Sequence, residues 1–338
     1  MTGLHVVSLR GKVTETRHEV AVAVVDGAGK LLASNGDPDL VTPMRSAAKP
    51  FQALPLVEDG AAERFEIGER ELALACASHN SERYQVQIVQ EWMTRMGLTE
   101  DQLVCGSHRP LAKELGFRRE DGTWDEVDLA PLSRVASNCS GKHTGMLVLA
   151  KHCGWDSENY AIEGHPVQER CRSAIATLCG VPSSTLGAAG DGCGVVSWAL
   201  PLRAMATGYA RCARSSGAMR QVVAAITKHA DLVAGKRRLC TALMRAYPGE
   251  MLAKVGAGGV YCAASIEAGL GIAIKAIDGD HRAAAVALVE VLQQFGLAAA
   301  PASRLPEFAR PVILNTNGEV VGRYEPRGSI TFTSSKSQ

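Results

Sequence analysis

Strand-like runs stand at both ends of this chain and helix-like runs fill its middle. That order restricts the available folds more than any other feature. Residues 5–9 and 18–26 open the sequence, with alternating Val20, Val22 and Val24. The turn Asp26-Gly27-Ala28-Gly29 then leads into residues 30–33, so the first segment reads as a β-hairpin. Strands return at 259–262, 271–277 and 320–324, with a helix at 282–295 between the last two. In the middle, residues 83–96 place Val86, Val89, Trp92, Met93 and Met96 at helical spacing. Further helices are expected at 143–152, 166–178, 195–206 and 218–232. Residues 71–76 suit either one apolar helical turn or a short strand, and 109–132 are polar and loop-like. Terminal strands pair most simply into one sheet with helices packed on it. The expected fold is therefore α+β, in an α/β three-layer form. An antiparallel sheet would come from both termini, and a mostly helical region would span about residues 43–235. One domain over 1–338 is expected, and two smaller ones remain open at this length.

Composition narrows the partners. Hydrophobic residues make up 46% of the 338 and charged residues 21%, enough apolar material for a sizeable core. A net charge of +1 gives no reason to expect a nucleic-acid or anionic-membrane partner. The densest basic knot, Lys236-Arg237-Arg238, reads as a solvated turn. The opening residues lack the pattern of a signal peptide, and no run approaches the roughly 18 apolar residues of a membrane span. A cytoplasmic protein is expected. Its ten cysteines are then reduced thiols, either small core residues or site residues. Abundant Ala and Gly favour close-packed helices.

Three short motifs stand in order: Ser46-Ala47-Ala48-Lys49 (S-x-x-K), Ser78-His79-Asn80 (S-x-N) and Lys254-Val255-Gly256 (K-x-G). S-x-x-K, S-D-N and K-T-G together mark serine β-lactamases and penicillin-binding proteins. A serine hydroxyl is a weak nucleophile that needs a neighbouring base. Ser46 and Lys49, three residues apart on a helix, share one face about 5–6 Å apart at Cβ. Desolvation or a second cation lowers a lysine pKa and frees its amine to take a proton. Ser78 and Asn80 would enter the same cleft from a loop, with Ser78 relaying a proton to or from Lys254. Each motif alone also suits a plain reading, with Ser46 as a helix cap and Lys49 as a solvated side chain.

A second cluster combines Ser137-Asn138-Cys139-Ser140-Gly141-Lys142-His143 with Gly190-Asp191-Gly192-Cys193-Gly194. Both are Gly-flanked loop stretches, the usual carriers of site residues. Cys139 and Cys193 suit zinc with His143 nearby, but they equally suit two buried thiols, since no C-x-x-C pair is present.

Taken together, RSAAKP around Ser46, CASHNSE around Ser78, SNCSGKHTGML around Cys139 and DGCGVVSWALPL around Cys193 resemble one family. RLCTALMRA around Cys240, KVGAGGVYC around Lys254 and GLGIAIKAIDGDHRA near the C-terminus belong to the same resemblance. The family is the rhizobial-type zinc-binding L-asparaginases, the asparaginase II family. The resemblance implies a serine β-lactamase/glutaminase-like fold, a homodimer, and hydrolysis of L-asparagine to L-aspartate and ammonia. It implies two Ser–Lys pairs, Ser46/Lys49 and Ser78/Lys254, and a Zn2+ site on Cys139, Lys142 and Cys193. Arg45, Asn80, His143, Asp191 and Cys240 become candidate substrate-side residues. Two rivals stand beside this reading: a β-lactamase- or peptidase-like serine hydrolase, and a non-catalytic zinc or amino-acid binding protein.

Overall fold

The computed structural model describes residues 3–111 and 127–333. Its strands, in chain order, are β1 (His5–Arg10), β2 (Val13–Asp26), β3 (Leu31–Asn35), β4 (Val41–Pro43), β5 (Gly187–Gly190) and β6 (Val196–Pro201). They continue with β7 (Met251–Gly256), β8 (Val260–Ser265), β9 (Leu270–Ala276), β10 (Val312–Leu314), β11 (Val320–Arg327) and β12 (Thr331–Phe332). The main sheet runs β10-β11-β1-β2-β9-β8-β7, with β3 joined to β2 and β12, and every strand pair is antiparallel. The terminal strands pair as expected, His5 facing Arg327 across β1 and β11. A separate small sheet, β4-β6-β5, carries the Cys193 loop.

The central strands are apolar on both faces. Residues 20–25 and all of β7 and β8 are buried, so protein covers the sheet on each side. Small residues bring the helices close. A Cβ at Gly271 of β9 would fall 1.9 Å from the carbonyl oxygen of Ala206, on the helix Leu202–Ala213. The first hairpin is closed by its aspartate, since Asp26 Oδ1 accepts from the N–H groups of Ala28 and Lys30.

The helices that position the site are α1 (Lys49–Glu58), α2 (Glu69–Ala75), α3 (Arg83–Met96), α4 (Ser140–Cys153) and α5 (Leu239–Ala246). Residues 71–76 thus belong to a helix. Residues 195–206 are not one helix but β6 followed by a helix beginning after Pro201. The stretch Val196-Ser197-Trp198 is rich in strand formers, and β6 is held between two partner strands. The helix expected at 218–232 breaks at His229, whose backbone leaves the helical region. The loop expected at 109–132 lies in large part outside the described residues. Among the described residues no helix is long and apolar enough to cross a membrane.

Candidate active site

The nucleophile-type serine sits on a bent entry to a helix. Arg45–Ala48 form a 3-10 turn that runs directly into α1, and Pro50 lies in the first turn of α1, where its missing N–H costs nothing. Arg45 holds φ at +52°, a conformation that L-residues pay to adopt. Its backbone N–H bonds to Ser197 Oγ on β6 and its guanidinium pairs with Asp191 at 2.9 Å. Gly256 is the counterpart on β7, the free edge of the main sheet. A Cβ there would lie 2.8 Å from the Met44 carbonyl oxygen. The glycine of the K-x-G motif is therefore what lets the edge strand lie against the Ser46 turn.

The three motifs meet at one cavity of about 510 Å³, lined by Ser46, Ser78, Arg45, Asp191, Cys139, Cys193 and the end of β7. Both lysines converge on Ser78. Lys49 Nζ lies 3.0 Å and Lys254 Nζ 2.8 Å from Ser78 Oγ. Lys49 also donates to the Ala77 carbonyl and to Cys139 Sγ, and Lys254 to the Val255 carbonyl. Both are fully buried, so Lys49 is not the solvated helix residue of the plain reading. Ser46 is half-buried and its hydroxyl has no hydrogen bond among the described residues. Burial, reinforced by the like charge of Lys49, pulls the Lys254 amine down to about 7. Beneath Ser78, buried His79 accepts from the Ser81 N–H at Nδ1, which leaves Nε2–H to donate to Ser140 Oγ. Burial and then the charge of Lys49 push this imidazole down to about 3, so it stays neutral.

The second cluster adjoins the first through Cys139, which accepts from Lys49. Lys142, on the first turn of α4, donates to Cys193 Sγ at 3.0 Å. The Cys139 thiol shares its proton with Cys193. That hydrogen bond, with the Lys142 ammonium, pulls Cys193 down to about 5 against the effect of burial. The same bond and burial push Cys139 up to about 12. Burial disfavours the Lys142 charge, but the neighbouring thiols outweigh it and hold its pKa above the ordinary value. Among the described residues no three His, Cys, Asp or Glu side chains gather as a metal site. A third protein donor here has to be the Lys142 amine. Two sulfurs and an amine suit a borderline-soft cation such as zinc. His143, the spacing-based nominee, turns away: its Nδ1 bonds Tyr160 OH at 2.6 Å.

The substrate-side candidates divide. Arg45 and Asp191 line the cavity. Asn80, His143 and Cys240 are fully buried and do not line it. The Asn80 side chain is spent on Glu82, the Lys236 carbonyl and Arg238. Cys240 Sγ accepts from the Val255 N–H, bracing β7 beside Lys254. Several cavity residues escaped the sequence reading, among them His108, His281 and Arg238. Arg238, taken as part of a solvated basic knot, is only 3% exposed and lines the cavity. Its position two residues before Cys240, at the start of a strongly apolar helix, was the only signal.

The sequence matches the L-asparaginase II family over residues 6–326. The chain belongs to the L-asparaginase II family. The cavity lined by Ser46 and Ser78 is the candidate site of this family member. No curated protein matches this L-asparaginase II chain. Among solved structures it is similar to Mglu in its native form, at 16% identity and a TM-score of 0.45. That alignment covers 83% of this chain and 66% of Mglu, so this chain spans just under two thirds of that protein's length. A β-lactamase from Mycobacterium bovis aligns at 14% identity and TM-score 0.32, covering 86% and 95% of the two chains. The octameric penicillin-binding protein homologue from Pyrococcus abyssi aligns at 13% and 0.33, covering 86% and 76%.

Proposed function

We propose that this protein hydrolyses L-asparagine to L-aspartate and ammonia through a serine ester. The observation that carries the reading is the pair of buried lysines meeting at Ser78 Oγ in a cavity that Ser46 also lines. Ser46, open to the cavity and free of hydrogen bonds among the described residues, attacks the side-chain amide carbon. Its proton passes into the Lys49–Ser78–Lys254 relay, and the same relay returns a proton to the departing ammonia. Backbone N–H groups of the Ser46 turn and of the free β7 edge are the donors available to the oxyanion. Water then cleaves the β-aspartyl ester by the reverse route. Asp191, negative beside Arg45, is placed to receive the substrate ammonium. Cys139, Lys142 and Cys193 would hold zinc, which would orient the substrate amino acid or its site rather than create the nucleophile. The active unit is a cytoplasmic homodimer.

Acid-quenched turnover followed by peptide mass mapping tests the central step. The expected result is a β-aspartyl adduct on the peptide carrying Ser46, absent in Ser46→Ala, together with ammonia release from asparagine. An adduct on Ser78 instead would reverse the roles of the two serines.

A further inference from the structure

Arg238 is a buried cation of the site that has neither an acidic partner nor a full set of hydrogen bonds among the described residues. It is 3% exposed, yet it lines the cavity. Its Nη1 donates to Asn80 Oδ1 at 3.0 Å and to the Ser78 carbonyl at 3.4 Å, both neutral acceptors. Its Nη2 is buried and has no hydrogen-bond partner among the described residues. The side chains that act on it most strongly are Tyr261 and Cys240, while its own charge acts on Lys254 and His79. Burying a guanidinium without an acidic partner is costly. By contrast Arg45, the other cavity arginine, is already neutralised by Asp191.

The position is held firmly. A Cβ at Gly235, whose φ is +106°, would lie 2.5 Å from Asn80 Nδ2 and 2.4 Å from Glu82 Oε1. The loop leading to Arg238 is thus pressed onto the residues that fix the guanidinium. A rigid planar fork with unused donors, at the wall of a cavity, matches a carboxylate.

We propose that Arg238 is the carboxylate anchor of the cavity, binding the α-carboxylate of the amino-acid substrate and product. This rests on the amidohydrolase reading above, and it assigns the two charged ends of the substrate to two different cavity residues. The ammonium goes to Asp191 and the carboxylate to Arg238, which leaves the side-chain amide for the serines. An amide analogue without that carboxylate would leave the guanidinium buried and unpaired, so the site should discriminate strongly against it.

The test compares L-aspartate with L-isoasparagine, the α-amide of aspartate, which differs only in having the α-carboxylate replaced by an amide. Calorimetric binding is measured on the full chain, wild type, Arg238→Gln and Arg238→Lys, with thermal melting of each variant and ammonia release from L-asparagine by wild type. The expected result is a loss of about 10- to 100-fold in L-aspartate affinity in Arg238→Gln, with L-isoasparagine binding changed by less than about 3-fold. Arg238→Lys, which keeps the charge but not the fork, should fall between, and it carries the comparison if the Gln variant does not fold. Equal losses for both ligands, or no L-aspartate binding by wild type, would overturn the proposal. Selective loss of L-aspartate binding in a protein that releases no ammonia from asparagine would sink the asparaginase reading and leave the anchor standing.

Discussion

At the scale of single residues, the chemistry depends on which lysine is without its proton. Lys254 is buried, stands near the charge of Lys49, and is pulled down to about 7. Below that pH it is an ammonium and cannot accept from Ser78; above it the amine is free. The expected kcat/KM for asparagine therefore rises tenfold per pH unit on the acid side and levels off near pH 7. In Lys254→Arg, whose side chain stays protonated throughout, activity should be low and the acid limb absent. A wild-type profile flat from about pH 5 to pH 9 would remove Lys254 from the relay. The lysines also show what single-residue reading can reach. S-x-x-K suggests a contact between Ser46 and Lys49, but the extended Lys49 side chain reaches past its own turn to Ser78 and Cys139. Arg238 was hidden for the opposite reason. Three adjacent basic residues look solvated, yet the chain turns through Arg237 at φ +63° and drives the third one inward.

At the scale of elements, the site depends on two close approaches that only glycine allows. Gly256 brings β7 against the Ser46 turn. Gly141 brings α4 against the end of α2, where a Cβ would meet the Leu74 carbonyl oxygen at 2.3 Å. Neither neighbour is a flexible side-chain tip, so the backbone has to move. Gly256→Ala should shift Lys254 relative to Ser46 and cut kcat by about 100-fold, the cost of roughly 1 Å of misplacement. Cys139, Lys142 and Cys193 belong to other elements than β7, so metal content measured by elemental analysis should be unchanged. A kcat within about 3-fold of wild type would show that the approach is not what aligns the relay. Much of this layer was legible. Alternating valines and repeated strand–turn patterns place β1, β2, β8, β9 and β11, and the 3.6-residue spacing marks α3 from Arg83 to Met96. The small sheet was not legible. β5 is Gly187-Ala188-Ala189-Gly190, with no strand-forming side chain, and exists only because β6 pairs with it. Tertiary pairing overrode local propensity there, and that same sheet carries the Cys193 loop.

At the scale of the whole molecule, the cysteine and lysine cluster joins parts of the chain that are far apart. Lys142 and Cys193 are 51 residues apart, one on α4 and the other on the loop that joins β5 to β6. A metal that binds both in the folded state, and not in the unfolded chain, must stabilise the whole fold, by about 2.7 kcal/mol at a hundred times its Kd. The sign of its pH dependence follows from the protons now in place. Cys193, down at about 5, is already a thiolate at neutral pH and gives up nothing. Cys139, up at about 12, and Lys142, held above its ordinary value, each have to lose a proton on ligation. Zinc binding near pH 7 should release about two protons, so affinity falls by about 100-fold for each unit that pH drops. Melting the protein with and without zinc between pH 6 and pH 8 should show a stabilising shift that shrinks as the buffer is acidified. Calorimetry in buffers of different ionisation enthalpy counts the protons directly. Cys139→Ser should abolish the zinc-dependent shift while leaving the metal-free melting temperature nearly unchanged, because a serine hydroxyl still fills the space at the head of α4. A zinc shift that is the same at both ends of this pH range would mean the ligands do not exchange these protons, and the assignment of Lys142 as third donor would fall with it.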